Sequence, residues 1–259
     1  MRGRFEQRRS RTAEWSRRIG AFSVALFLTS ALSHRFGLIE TPPFLWLLGL
    51  CLLLALIGFG LAVVAAVRIW RHGLLGAGSA ALGLFFCAAI LAPYGFSVYG
   101  FASQPPLADV STDTSRPLGM PQAAALRVPP MNPLDATGAQ AAALQADSYS
   151  GLTGRRYEYD KQNVVLAVTE LLAERRWTVL SPMPTSDAGQ SVTIEAVGYS
   201  YLLGFPSDVA IRIEDRSDAT YVDMRSVSRY GGHDMGENAE RIERFLDDLD
   251  ERLQAPRES

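Results

Sequence analysis

The densest group of polar residues in this sequence lies between Asp223 and Arg241, in the run DMRSVSRYGGHDMGENAER. The pattern predicts the end of a strand, a glycine turn and the start of a helix. Backbone N–H groups and the helix dipole favour an anion at such a junction, and arginines bind carboxylates and phosphates in a bidentate manner. The corner is therefore either a site for a small anionic ligand or an internal brace of arginines paired with neighbouring acids. We favour the brace.

A catalytic interpretation of this corner finds little support. His233 is the only histidine after residue 102, so a metal site of several histidines is excluded there. Nearby serines and aspartates formally permit a Ser/His/Asp arrangement, but no nucleophile elbow is present. The sequence also lacks a phosphate-binding glycine loop with lysine, a dinucleotide fingerprint and a zincin helix. We predict no catalytic residue, no metal site and no cofactor.

A candidate ligand-binding set combines the corner with two motifs upstream of it. Strand alternation places Arg225 on the face opposite Val222 and Met224, where it can meet Asp109 or Asp113. We expect such a contact to dock the segment that carries these aspartates. The candidate residues are Asp109, Asp113, Asp208, Asp223, Arg225, Ser226, Ser228, Arg229, Asp234, Asn238 and Arg241.

Two helices and four strands are predicted to position these residues within 151–259. Apolar residues recur at helical spacing over Asp160–Arg176 and again from an N-cap at Asp234 to about Leu253. Alternation and intervening turns predict strands at Trp177–Leu180, Ser191–Gly198, Asp208–Glu214 and Thr220–Ser226. Short connections favour an α+β two-layer sandwich, in which both helices cover the apolar face of a mainly antiparallel four-stranded sheet.

The first third of the chain is apolar and predicts a membrane region. Three α-helical spans are expected at about 19–39, 44–67 and 73–102, the second with twenty-four uncharged residues. Both cysteines, Cys51 and Cys87, fall within these spans, so the domain that follows has neither a disulfide nor a thiolate metal site.

Arginines set the expected orientation. Residues 1–18 hold seven Arg and two Glu, and the loop 68–72 is also basic, so both should be cytoplasmic. The third span then delivers 103–259 to the periplasm of a bacterium, across the inner (plasma) membrane. Cleavage of residues 1–33 as a signal peptide is the alternative, and it leaves the domain on the same side.

The remaining chain is acidic. Residues 103–259 hold fifteen Lys and Arg against twenty-four Asp and Glu, which excludes a generic nucleic-acid-binding domain. Residues 103–150 are rich in proline and then alanine, a composition typical of a flexible tether.

Three ordered motifs resemble a known family. Asp109–Thr114 (DVSTDT), Phe205–Arg212 (FPSDVAIR) and Val222–Phe245, with VDMRSVSR and DMGENAERI, are similar to the family catalogued as domain of unknown function 1499. The resemblance covers about 105–250. It implies a bacterial or organellar domain, often membrane-attached, without an established activity. It also implies that Asp109–Thr114 docks on the domain, so that 103–150 is only partly tether. The run Gly231–His233 departs from the family pattern, which makes His233 a poor candidate for a shared catalytic role.

These observations predict a membrane-anchored extracytoplasmic binding or interaction module related to the envelope. Its expected partners are the lipid bilayer and either an envelope protein or a small anionic ligand, with no nucleic acid. The alternatives are a hydrolytic enzyme that uses the Asp223–Arg241 corner and a structural subunit of a membrane complex.

Overall fold

The computed structural model describes residues 8–134, 138–181, 189–216 and 218–254. Most of the predicted turn 181–189 and the first seven residues of the basic N-terminus lie outside these ranges. The chain divides into two compact units. One comprises Met1–Tyr99 with Leu202–Gly204, here the helical unit, and the other comprises Gly100–Tyr201 with Phe205–Ser259, here the sheet unit.

The helical unit is built on α1 (Arg11–Arg35), α2 (Thr41–His72) and α3 (Ala77–Ser103). Prolines in the first turn of α2 suit a helix start, and Gly73 ends the helix in a left-handed conformation with φ of 62°. By length and composition α2 and α3 can each cross a membrane.

The third predicted span is not confirmed. α1 begins at Arg11 and carries Glu14, Arg17 and Arg18 in its first turns. The uncharged stretch that follows, 19–34, is shorter than the ~20 residues that a spanning helix needs. The described part of the chain therefore contains two candidate membrane spans.

Small residues bring the three helices close together. The Ser16 hydroxyl of α1 donates a hydrogen bond of 2.9 Å to the Gly58 carbonyl of α2. A Cβ added at Gly83 of α3 would lie 2.1 Å from Ser16 Oγ, so only glycine fits there. Cys51 and Cys87 are buried within the same packing. Close approach at small residues is a common mode of helix association in membranes.

The sheet unit contains six described strands, β1 (Asp109–Ser111), β2 (Arg155–Tyr157), β3 (Thr178–Val179), β4 (Ser191–Tyr199), β5 (Pro206–Arg216) and β6 (Ala219–Ser228). Its helices are α4 (Pro121–Leu126), α5 (Ala139–Ser148), α6 (Lys161–Glu174) and α7 (Glu237–Gln254). The strand order is β1-β6-β5-β4-β3, β2 also pairs with β6, and every described pair is antiparallel.

The antiparallel sheet is confirmed, but its predicted four strands become six. β1 and β2 have three residues each and lie along the same edge of β6, opposite 225–227 and 220–222. Segments this short contain too few residues to show alternation, and their pairing depends on a strand far away in the sequence.

One face of the sheet carries the main core. Alternate residues of β4, β5 and β6 pack there against α6 and α7, as the sequence predicts. Phe245 of α7 is fully buried and stacks on Trp177 with ring centroids 5.6 Å apart. The buried core residues of these elements include Val164, Val168, Leu172, Ile194, Val209, Ile211, Ile213, Met224, Ile242, Phe245 and Leu249.

The proline-rich segment 105–134, which we call the strap, pairs with β6 through β1 and then crosses the opposite face of the sheet. Leu118, Met120 and Ala123 of the strap pack on Ala210 of β5 and Val227 of β6. α4 lies in the strap and its N-terminal amides are bonded to the sheet. The predicted two-layer sandwich is therefore incomplete, because the strap adds a third layer that has little regular structure.

Candidate functional site

β6 divides the candidate residues between the two faces of the sheet. Asp223, Arg225 and Val227 point to the strap face, whereas Met224 and Ser226 point to the helices, as the period of two requires. The polar groups of the corner therefore form two clusters on opposite sides of one strand.

Arg225 meets Asp109 on the strap face. Its guanidinium donates from Nε to Asp109 Oδ1 at 2.9 Å and from Nη2 to Oδ2 at 2.7 Å, a bidentate pair. Nη1 donates to the Leu118 carbonyl at 2.8 Å. Arg225 is only 3% exposed, so this contact joins the strap to the sheet in the interior. Of the two partners expected for Arg225, the structure shows Asp109.

Asp113 pairs instead with Arg212, a residue that the candidate set omits. Arg212 Nη2 lies 2.7 Å from both Asp113 Oδ2 and Asp223 Oδ2, and Nη1 donates to the Arg116 carbonyl. Burial opposes ionisation of Asp113, but hydrogen bonds from Ser115, the Arg116 amide and Arg212 together outweigh it and lower its pKa to about 2. The carboxylate therefore stays charged in the neutral range.

Asp208 lies between two guanidinium groups and is fully buried. Arg127 of the strap donates to Asp208 Oδ2 at 2.7 Å, and Arg229 donates to Oδ1 at 2.7 and 3.0 Å. Arg127 also donates to the Val227 carbonyl at 3.1 Å. A carboxylate without solvent contact is stable in its charged form only with such partners.

The second cluster lies on the helix face, around Arg241. Its guanidinium donates to Asn238 Oδ1 at 2.7 Å, to Ser226 Oγ at 3.1 Å and to Glu237 Oε1 at 2.7 Å. Asn238 in turn donates to Ser228 Oγ at 2.9 Å. Burial raises the pKa of Glu237, although the attraction of Arg241 opposes the shift. These bonds fasten the start of α7 to the end of β6.

The helix start that suggested an anion site already holds a carboxylate. Asp234 Oδ1 accepts the Gly236 N–H at 2.9 Å, and Oδ2 accepts the Asn238 N–H at 2.9 Å. Asp234 is 7% exposed and therefore occupies the position that an external anion would take.

His233 uses both ring nitrogens in contacts with the backbone. Nδ1 accepts the Met235 N–H at 2.9 Å, which places the proton on Nε2, 3.2 Å from the Phe101 carbonyl oxygen. The ring also stacks on Phe101 with centroids 4.3 Å apart. This arrangement leaves no ring nitrogen available as a general base.

The candidate set omits three charged residues that join the strap to the sheet. Arg212 and Arg127 hold three of the candidate aspartates, and Glu195 of β4 accepts the Ala123 N–H at 2.9 Å. Alternation in β5 does place Arg212 on the same face of the sheet as Asp208, and the sequence therefore offered a signal for Arg212. Arg127 lies in irregular chain and offers no pattern that identifies its partner.

An open, mostly polar pocket lies where the strap leaves β1 and meets β2 and β6. Asp113 and Asp223 are the two candidate residues that reach it. Its full lining is Thr112, Asp113, Thr114, Ser115, Gly154, Arg155, Arg216, Tyr221, Val222 and Asp223. Within the described ranges, no group of three or more His, Cys, Asp or Glu side chains is arranged to hold a metal ion.

The family model described as "Protein of unknown function (DUF1499)" matches residues 109–249. The match starts at the first residue of β1 and ends within α7, so it includes both charged clusters. It spans more than half of the chain, and the chain therefore belongs to this family. No curated protein matches the sequence.

Proposed function

We propose that this member of the DUF1499 family is a membrane-anchored extracytoplasmic binding or interaction module of the bacterial envelope. The proposal rests on the observation that the arginines of the Asp223–Arg241 corner are paired with acids. Arg225, Arg229 and Arg241 each bind acids of the same chain, so the corner is a brace that leaves recognition to the outer surface of the sheet unit.

Features of α2 and α1 support the membrane anchor. Trp46 and Trp70 of α2 are 82% and 90% exposed and lie about 36 Å apart along the helix, the spacing of two interfacial aromatic belts. α1 packs closely against both candidate spans through Ser16 and Gly20. We therefore propose α1 as the third span, short but tightly packed.

The arginines support a cytoplasmic N-terminus and a periplasmic sheet unit. Arg17 and Arg18 lie at the start of the uncharged part of α1, and Arg68 and Arg71 lie at the end of α2. With three spans, both groups lie on the cytoplasmic side of the plasma membrane and residues 103–259 lie on the other side.

The open pocket beside Asp113 and Asp223 is the proposed surface for a small anionic ligand. Arg216 contributes a side chain that is 46% exposed, and Arg155 one that is 30% exposed. Exposed ion pairs hold their partners weakly, so both arginines can turn to a ligand. An envelope protein is the other proposed partner. No observation among the described residues favours the hydrolytic alternative or the structural-subunit alternative.

Reporter fusions test the topology on which this proposal rests. We expect alkaline phosphatase to be active after Ser259 and inactive after His72, which serves as the matched control. A cytoplasm-dependent fluorescent protein should give the reverse pattern. If only α2 and α3 cross the membrane, the two positions exchange their behaviour, and the extracytoplasmic assignment fails. Mass spectrometry of molecules that co-purify from the same cells then tests for a bound partner.

A further inference from the structure

The connection between β4 and β5 exposes large apolar side chains. Tyr201 is 83% exposed and Leu202 is 78% exposed. The loop is nevertheless ordered at its base, where the Ser200 N–H donates to the Phe205 carbonyl and the Phe205 N–H donates to Ser200 Oγ, both at 2.9 Å. Gly204 turns the chain with φ of 74°. A hydrogen-bonded turn therefore holds these side chains in their exposed positions.

Leu202–Gly204 belong to the helical unit. In that unit, His34 Nδ1 near the end of α1 lies 2.6 Å from the Leu203 carbonyl oxygen, and a Cβ at Gly204 would lie 3.1 Å from Arg35 Cα. The turn that joins α1 to α2 exposes two more apolar side chains, Phe36 at 74% and Leu38 at 78%.

Phe36, Leu38 and Leu202 are therefore three exposed apolar side chains of the unit that contains the two candidate spans. Apolar and aromatic side chains at the end of a spanning helix lie at the depth of the lipid headgroups, where tryptophan and tyrosine are favoured. An exposed apolar group of this kind marks a contact surface. Its position beside the start of α2 identifies the bilayer as the occupant.

We infer that Tyr201 and Leu202 insert into the interfacial region of the outer leaflet and form a membrane contact of the β4–β5 loop. This inference rests on the proposed membrane anchor. It adds a second point of attachment to the bilayer, separate in sequence from the spanning helices.

A fluorescent probe at position 202 tests the contact in the full-length protein. The variant Leu202→Cys is labelled with an environment-sensitive maleimide dye and reconstituted into vesicles, with Glu251→Cys on the exposed side of α7 as the matched control. Both native cysteines are buried, so the dye reacts with the introduced one. We expect a blue-shifted emission at 202 that is quenched by lipids with a nitroxide near the headgroup, and neither effect at 251.

Two outcomes distinguish a failure of the loop contact from a failure of the proposed membrane anchor. If the protein floats with the vesicles and resists extraction by alkaline carbonate but the dye at 202 behaves like the dye at 251, the loop contact is refuted and the anchor stands. If the protein is extracted by carbonate, the anchor itself fails and the loop contact fails with it. A second variant, Tyr201→Cys, must respond like Leu202→Cys for the inference to hold.

Discussion

Replacing Asp208 by asparagine is expected to destabilise the sheet unit by about 3–5 kcal/mol. The carboxylate is fully buried between Arg127 and Arg229, whose side chains are 6% and 14% exposed. Asparagine has nearly the same shape but no charge, so two neighbouring guanidinium groups would be left without a counter-ion in the interior. The loss is a large part of the ~5–15 kcal/mol by which a domain is stable.

Pulse proteolysis of the detergent-solubilised protein in increasing urea measures this effect on the sheet unit. The control is Glu240→Gln, which removes an acid from the exposed pair with Arg244, where the side chains are 55% and 65% exposed. We expect the control to change stability by no more than about 0.5 kcal/mol. An Asp208→Asn protein as stable as this control would show that the buried charge is not needed.

Replacing Phe245 by alanine is expected to cost about 3–5 kcal/mol as well, for a different reason. The ring is fully buried in the core between the sheet and the helices and stacks on Trp177. The Arg175 guanidinium lies over the same ring, 5.1 Å from its centroid. Truncation leaves a cavity that neighbouring elements of the sheet unit can fill only in part.

The same urea assay compares Phe245→Ala with Leu166→Ala on the exposed side of α6. Leu166 is 48% exposed, so its truncation removes few contacts and should shift stability by about 0.5 kcal/mol or less. If both variants unfold at the same urea concentration, Phe245 does not contribute to the core, and the assignment of α7 to the apolar face is wrong.

The regular elements of the sheet unit could be predicted because their side-chain periods are long enough to detect. β5 alternates over Val209, Ile211 and Ile213, and α7 repeats apolar residues at helical spacing as far as Leu249. Residue type and position predict Asp234 as the N-cap; α7 begins three residues later, at Glu237, and the Asp234 carboxylate accepts the N–H of Gly236 before the helix and that of Asn238 in its first turn. Local chemistry is sufficient for features of this kind.

The strap could be predicted only at its beginning. Resemblance to a family implied docking at Asp109–Thr114, but the continuation through α4 to Leu134 has the composition of a tether. Its attachment depends on single polar groups, such as the Arg127 guanidinium and the backbone amide of Ala123, that bind partners more than seventy residues away. Composition does not encode such pairings. The structure also places the polar corner on two faces of β6, which a linear run of residues cannot show.

The helices of the membrane region could be predicted from charge-free length only in part. Charge-free length identifies α2 and α3, whereas α1 mixes an uncharged stretch with Glu14, Arg17 and Arg18. The proposal that α1 is a third span rests on its packing against α2 and α3 through Ser16 and Gly20, which the sequence of α1 alone does not show.

The coupling between Asp109 and Arg225 tests most directly whether the charged corner is a closed brace. We expect Arg225→Gln and Asp109→Asn each to destabilise the sheet unit by about 1–3 kcal/mol, since each removes the bidentate charge-assisted bonds that join a buried arginine to a partly buried carboxylate. Because the two side chains share a bidentate bond, the double variant should lose at least about 0.5 kcal/mol less than the sum of the single losses. Urea unfolding of the three variants measures this difference. Losses that simply add would contradict the brace and return these arginines to the role of a ligand site.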